Sequence, residues 1–80
     1  MAFMAYAKKT FSDDTIAAYE FGFRPEEPIH GVFVASAVDP AEWHVYGADR
    51  VLRTAEVTHR KGAAAFAETG EWPAWIAFNS

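Results

Sequence analysis

Apolar and polar residues alternate along the first part of the chain with the two-residue period of β-strands. The pattern over residues 5–23 predicts a hairpin that turns at residues 12–14, where a serine is followed by two aspartates. In the second strand of this hairpin, Tyr19, Phe21 and Phe23 alternate with Glu20 and Gly22. One face of that strand is therefore predicted to be aromatic and buried, and the other to face water.

Residues 29–38 predict a further strand that is apolar on both faces, which is typical of a strand in the middle of a sheet. The segment before it, residues 24–28, contains two prolines and two glutamates and predicts a rigid acidic connector. Asp39, Pro40 and Glu42 then match an N-cap, an N1 proline and an N3 carboxylate. This pattern predicts a short helix that Gly47 ends.

Residues 48–60 carry both β-branched residues and a helix-like apolar spacing, so strand and helix both remain open there. A helix from about Thr54 to Thr69 is preferred, rich in alanine and ended by Gly70, although Gly62 inside it costs about 1 kcal/mol. Residues 75–78 predict a terminal strand. The whole chain, residues 1–80, is thus predicted to be one α+β domain: a small antiparallel sheet of about four strands with one short and one longer helix packed on it.

The apolar residues are mainly aromatic side chains and alanines. Seven Phe, three Tyr and three Trp stand beside sixteen Ala, and Leu52 is the only leucine, so rings and alanines are expected to interlock in the core. The absence of cysteine excludes disulfides, thiolate catalysis and cysteine zinc sites. Neither a membrane-length apolar run nor a secretory signal pattern is present, and a soluble cytoplasmic protein is expected.

Acidic residues are concentrated in one half of the chain. The net charge is −4, yet residues 11–49 alone hold eight carboxylates against Arg24, while residues 50–61 are basic. Such a charge distribution favours a protein partner with a basic surface and disfavours direct binding of nucleic acid. The candidate partner-binding residues are the loop carboxylates and two tryptophans that are either binding hot spots or core residues: Asp13, Asp14, Glu26, Glu27, Asp39, Glu42, Trp43 and Trp72.

No motif for catalysis or cofactor binding is present in the sequence. His30, His44 and His59 are 14 and 15 residues apart, which matches no short metal-ligand spacing, and the five glycines form no phosphate-binding loop. The expectation is therefore a protein that is not an enzyme and holds neither metal nor cofactor. The alternative of a small hydrolase requires His44 or His59 to meet an acid in one pocket.

In its size, acidic balance, lack of cysteine, α+β pattern and lack of catalytic motifs, the chain resembles the anti-CRISPR proteins of phages and mobile elements. The resemblance implies a stoichiometric inhibitor that docks on a CRISPR effector, such as a type I Cascade subunit, and blocks target DNA binding. An immunity protein or antitoxin that neutralises a basic nuclease would need the same acidic surface. An accessory subunit of a larger assembly would instead show an exposed apolar patch of several hundred Å².

Overall fold

The alternating segments of the chain assemble into one antiparallel sheet, and the alanine-rich segment forms a helix against it. The computed structural model describes residues 4–39, 41–47 and 53–79. The elements in chain order are β1 (Met4–Ser12), β2 (Ile16–Gly22), β3 (Gly31–Ser36), β4 (Trp43–Tyr46), α1 (Arg53–Thr69) and β5 (Trp75–Asn79). The strand order is β4-β3-β2-β1-β5, so β2 is central and the last strand pairs with the first. The predicted α+β class is confirmed.

The strand register separates the two faces of the sheet. Residues directly opposite each other in antiparallel strands share a face, and Tyr19 lies opposite Phe33 while Phe21 lies opposite Ala7. These three aromatic side chains are fully buried, and the Tyr19 and Phe33 rings stack with centroids 5.0 Å apart. This face, toward the helix, therefore holds two of the three aromatic residues predicted for it, Tyr19 and Phe21. The third, Phe23, follows the end of β2 and is 45% exposed.

Helix α1 covers the aromatic face with small residues. Ala55 belongs to the same buried cluster as the strand aromatics, and Gly62 is buried in the middle of the helix. A Cβ added at Gly62 would lie 2.7 Å from Ile76 Cδ1 and 3.1 Å from Trp72 Cζ3. The helix reaches this close to β5 because Gly62 has no side chain. Rings from the sheet thus pack against small residues from the helix, as the composition predicts.

The predicted short helix over residues 39–47 is wrong, and a fifth strand takes its place. β4 pairs with β3, with Trp43 opposite Ala35 and Val45 opposite Phe33, so both inward side chains extend the aromatic core. Asp39 does accept a hydrogen bond from a following backbone amide, Ala41 N, at 3.2 Å, but this closes a turn. Four residues of period-2 pattern cannot bury a helical stripe, whereas in a strand they gain a full set of partners on β3.

The longer predicted helix and the terminal strand are confirmed within one residue at each described end. Helix α1 ends at Thr69, and the φ of 79° at the next residue, Gly70, is the left-handed geometry of a glycine that follows a helix. The Gly70 amide donates to the Phe66 carbonyl at 2.7 Å. The ambiguous segment is helical from Arg53 onward, and residues 48–52 lie outside the described ranges. No helix in the described part of the chain is long and apolar enough to cross a bilayer.

Candidate partner-binding site

Three connections meet at one end of the sheet because neighbouring strands run in opposite directions. The β1–β2 turn, the β3–β4 turn and the α1–β5 connection all lie at the end where β1 finishes. The first two are joined directly, since the Ala37 amide donates to the Thr15 carbonyl at 2.8 Å. We call this region the acidic end, defined by its exposed carboxylates: Asp13, Asp14, Asp39, Glu42 and Glu71.

Asp13 is held in place by its own turn. Its Oδ1 accepts hydrogen bonds from the Thr15 amide at 2.7 Å and the Ile16 amide at 2.9 Å. The bonds from Ile16 and then Thr15 favour the charged form and lower the pKa of the Asp13 carboxyl below its ordinary range. A turn that needs an ionised aspartate for its geometry therefore presents a fixed negative charge to solvent.

The β3–β4 turn is ordered by side-chain hydrogen bonds in the same way. Ser36 Oγ accepts from the Val38 amide at 3.2 Å and from the Asp39 amide at 3.0 Å. The Glu42 amide donates to the Asp39 carbonyl at 3.0 Å. Asp39 and Glu42 are thus carried on a turn whose described backbone is already fixed, which lowers the entropy that a docking partner would have to remove.

Helix α1 adds to the negative potential of this end. Its C-terminus points here, and the unpaired carbonyls of a helix C-terminus act as about half a negative charge. Cations usually compensate this charge, but the last turn of α1 contains none and includes Glu68. Within residues 4–39, 41–47 and 53–79, the five carboxylates of the acidic end form no ion pair.

A cleft of about 480 Å³ opens at the acidic end between the β1–β2 turn and the α1–β5 connection. On one wall the Lys9 ammonium donates to the Trp72 carbonyl at 3.0 Å. Phe66 and Trp72 stack with ring centroids 5.4 Å apart and supply the aromatic part of the lining. Carboxylates next to aromatic rings suit a long basic side chain, whose charged head and apolar stem both find contacts. The lining residues are Lys9, Ser12, Asp13, Asp14, Ala37, Phe66, Gly70, Glu71 and Trp72.

The structure divides the predicted carboxylates between two ends of the sheet. Asp13, Asp14, Asp39 and Glu42 lie at the acidic end, whereas Glu26 and Glu27 lie on the β2–β3 connection at the opposite end. There Glu27 Oε2 is 3.9 Å from Arg24 Nε, so its charge is partly balanced by a neighbour. The two groups are therefore separated by the length of the strands.

The two predicted tryptophans pack into the interior. Trp72 is only 6% exposed and belongs to the buried cluster. Trp43 is half-buried and stacks on the His59 ring at 4.2 Å with an interplanar angle of 6°. Trp72 therefore acts in the core and contributes its carbonyl and ring edge to the cleft. The tryptophan that stands out to solvent is Trp75, which is 46% exposed and which the sequence pattern marked only as a strand residue.

The histidines do not converge. His59 is buried under Trp43 on the helix side of the sheet, and His44, the next residue after Trp43, points to the other side. His30 Nδ1 lies 3.0 Å from Thr54 Oγ1 and shares a hydrogen bond with it. The residues in the described ranges contain no group of three or more potential metal ligands. His44 and His59 therefore lie on opposite sides of the sheet and do not share one pocket.

Comparisons with known proteins add no relative: no protein-family model, curated protein or solved structure matches the chain.

Proposed function

We propose that this protein is a small acidic inhibitor that binds a basic groove of another protein through its acidic end. The observation that carries the proposal is the convergence of five exposed carboxylates and a helix C-terminus on one end of the sheet, without ion pairs among the described residues. Carboxylates that form no ion pair with other described residues are available to arginines and lysines of a partner.

The basic groove of the proposed partner is one that otherwise holds nucleic acid. Carboxylates on fixed turns present oxygen acceptors to guanidinium and ammonium groups as phosphates do, and so compete for the same side chains. In the anti-CRISPR form of the proposal, the partner is a CRISPR effector subunit such as one of type I Cascade, and the bound inhibitor excludes target DNA. In the immunity-protein form, the partner is a basic nuclease toxin, and the same surface blocks its active groove.

The test measures target-DNA binding by a purified type I Cascade complex in a mobility-shift assay while this protein is titrated in. We expect loss of the DNA complex at about one protein per binding subunit, with an affinity that falls steeply as salt is raised. A triple charge reversal, Asp14→Lys, Glu42→Lys and Glu71→Lys, avoids the side chains that accept turn hydrogen bonds. It should weaken inhibition by about a hundredfold or more, since like charges then face each other.

A matched control reverses three charges elsewhere: Glu26→Lys and Glu27→Lys at the opposite end, with Glu56→Lys on the helix. It has the same net charge as the first variant, so its inhibition should stay within about threefold of the unmodified protein if the acidic end makes the contact. Equal weakening by both variants would refute the acidic end as the contact surface. Failure to inhibit Cascade, combined with inhibition of a basic nuclease toxin, would select the immunity-protein form.

A further inference from the structure

The sheet has a second face that no described element covers. Helix α1 packs on the side of Tyr19 and Phe33, as the buried cluster and the Phe33–His59 ring contact show. The side chains that alternate with these residues point the other way, and we call this surface the open face. Tyr6 belongs to this face but is itself buried, with Trp75 stacked on its ring. The strand residues of the open face are Met4, Tyr6, Lys8, Phe11, Ile16, Ala18, Glu20, Gly22, Val32, Val34, Ser36, His44, Tyr46, Trp75, Ala77 and Asn79.

The open face is largely apolar, which is unusual for the solvent side of a sheet. Met4 is 41% exposed, Phe11 53%, Tyr46 57% and Trp75 46%. Phe11 reaches this face through a β-bulge: the register shifts between Lys9 and Phe11, so that Phe11 pairs with Ala18. Without the extra residue Phe11 would lie on the helix side. A contiguous patch of this kind on a small protein marks an interaction surface.

The two charged strand residues of the open face lie next to each other, while its other polar residues, Ser36, His44 and Asn79, lie on β3, β4 and β5. Lys8 of β1 lies directly opposite Glu20 of β2, and these two are the charged residues of the face. They sit side by side on the two strands nearest the middle of the sheet. A surface with one positive and one negative charge side by side, surrounded by apolar residues, is complementary to itself.

We infer that a second copy of this chain covers the open face, with the two sheets packed face to face about a two-fold axis parallel to the strands. An axis between β1 and β2 places Lys8 of each copy over Glu20 of the other, whereas an axis across the strands would place Lys8 over Lys8. The charges therefore select the first arrangement. Face-to-face packing with the strand directions of the two sheets within about 30° of each other is a common way to pack two sheets.

The same axis matches large side chains to small ones. It brings Phe11 of one copy over Ala18 of the second copy, and Trp75 over Val32, because each pair occupies mirrored strand positions at the same level of the sheet. Four strands facing four, at a spacing of about 4.8 Å and a length of about 20 Å, cover roughly 400 Å² on each copy, or roughly 800 Å² in all. This area is below the roughly 1,200–2,000 Å² of stable interfaces and predicts a weak, reversible dimer with a dissociation constant in the micromolar range.

The inferred dimer does not depend on the proposed inhibitor function, but it has a consequence for it. An axis parallel to the strands keeps the acidic ends of both copies at the same end of the dimer. Ten carboxylates would then face one direction. A partner with repeated basic subunits could bind both ends at once, which raises the overall affinity through effective concentration.

Sedimentation equilibrium of the full chain from about 1 to 500 μM tests the inference, since micromolar dimers dissociate within this range. The expected result is reversible association to twice the 8.9 kDa of one chain. Lys8→Glu or Glu20→Lys alone places like charges in contact and should raise the dissociation constant at least about tenfold. The double exchange, Lys8→Glu with Glu20→Lys, restores opposite charges and should return the constant to within about threefold of the unmodified protein.

Two controls separate the interface from general charge and hydrophobicity. Arg60→Glu on the exposed side of the helix makes the same charge change as Lys8→Glu and should leave dimerisation intact. Phe11→Asp should abolish the dimer, whereas Val38→Asp, at a loop residue that is 78% exposed, should not. A protein that stays at 8.9 kDa throughout, forms a larger assembly, or fails to recover in the double exchange would overturn the inference and leave the open face to a different partner.

Discussion

Gly62 offers a test of how closely the helix and the sheet pack. Glycine inside a helix costs about 1 kcal/mol relative to alanine, so Gly62→Ala would stabilise an exposed helix by about that amount. Here the new methyl carbon would lie 2.7 Å from Ile76 Cδ1 and 3.1 Å from Trp72 Cζ3. Both neighbours are buried, at 3% and 6% exposure, and neither can move outward freely.

The balance of the two effects predicts a net loss. Overpacking in a filled core costs about 1–3 kcal/mol, which exceeds the gain in helix propensity in most of that range. We therefore expect Gly62→Ala to lower the free energy of unfolding by about 1 kcal/mol. For a domain of this size, that corresponds to a melting temperature lower by about 4–8 °C.

A double-mutant cycle identifies the clash as the cause. Ile76→Val removes the Cδ1 atom that the new methyl meets, and by itself costs about 1 kcal/mol. A net loss of about 1 kcal/mol against a propensity gain of about 1 kcal/mol implies a clash of about 2 kcal/mol, of which Ile76→Val relieves the part due to Cδ1. The loss in the double variant should therefore be smaller than the sum of the single losses by about 1–2 kcal/mol, measured by urea unfolding. A stabilised Gly62→Ala variant, or strictly additive losses, would refute the packing argument.

Two further predictions concern buried and charged groups. Tyr19 is fully buried and its hydroxyl donates to the Pro73 carbonyl, so Tyr19→Phe should cost about 1–2 kcal/mol in urea unfolding. Burial raises the pKa of Tyr19 in the folded state, so its contribution is complete below the unfolded pKa near 10 and is lost at higher pH. Above pH 10 the free energy of unfolding should thus fall less steeply in Tyr19→Phe than in the unmodified protein. Parallel curves of this free energy against pH would contradict the prediction. The pKa of Asp13 is lowered in the folded state, so its contribution to the free energy of unfolding is present above pH 3.8 and is lost as the pH falls. Asp13→Ala should lower the melting temperature at pH 7, with a difference that narrows below pH 3.8; a constant difference would exclude a role for the charge.

The elements that the sequence predicts correctly are those in which local pattern and burial agree. Tyr19 and Phe21 alternate with polar neighbours and are buried on one face, as the two-residue period requires. The helix over residues 53–69 is explained by its run of alanines and the glycine after it. Gly62 looked like a defect in that helix, because propensity describes an isolated helix and carries no information about the sheet that Gly62 allows to approach.

The helix at residues 39–47 was wrongly predicted from a helix-start pattern that is not followed by apolar residues at helical spacing. Asp39 and Glu42 resemble a helix start, but the next residues, Trp43–Tyr46, alternate in the way that suits a strand edge. Turn-forming and cap-forming aspartates use the same side-chain acceptor, so the residues after them decide the structure. In β4, Trp43 and Val45 point into the core while His44 and Tyr46 point to the other side, and this alternation is that of a strand.

The location of the site did not depend on this error. When three neighbouring strands are antiparallel, the first turn and the segment after the third strand share one end of the sheet, whether a helix or a strand follows, and the second connection lies at the other end. The predicted antiparallel sheet was therefore enough to place Asp13 with Asp39 and Glu26 apart from them. The open face was harder to foresee: an apolar strand such as β3 indicates that both faces are covered, and sequence pattern does not tell whether the cover is the same chain or another.

The most direct test of the acidic end is a nuclear magnetic resonance titration of the labelled protein with a nona-arginine peptide in about 150 mM salt, a concentration that screens diffuse charge. We predict saturable amide shifts that cluster at residues 13–15, 39–42 and 70–72 and that disappear in the Asp14, Glu42 and Glu71 reversal variant. Shifts centred on Glu26 and Glu27, or spread evenly over all carboxylates, would contradict the assignment of binding to this end of the sheet.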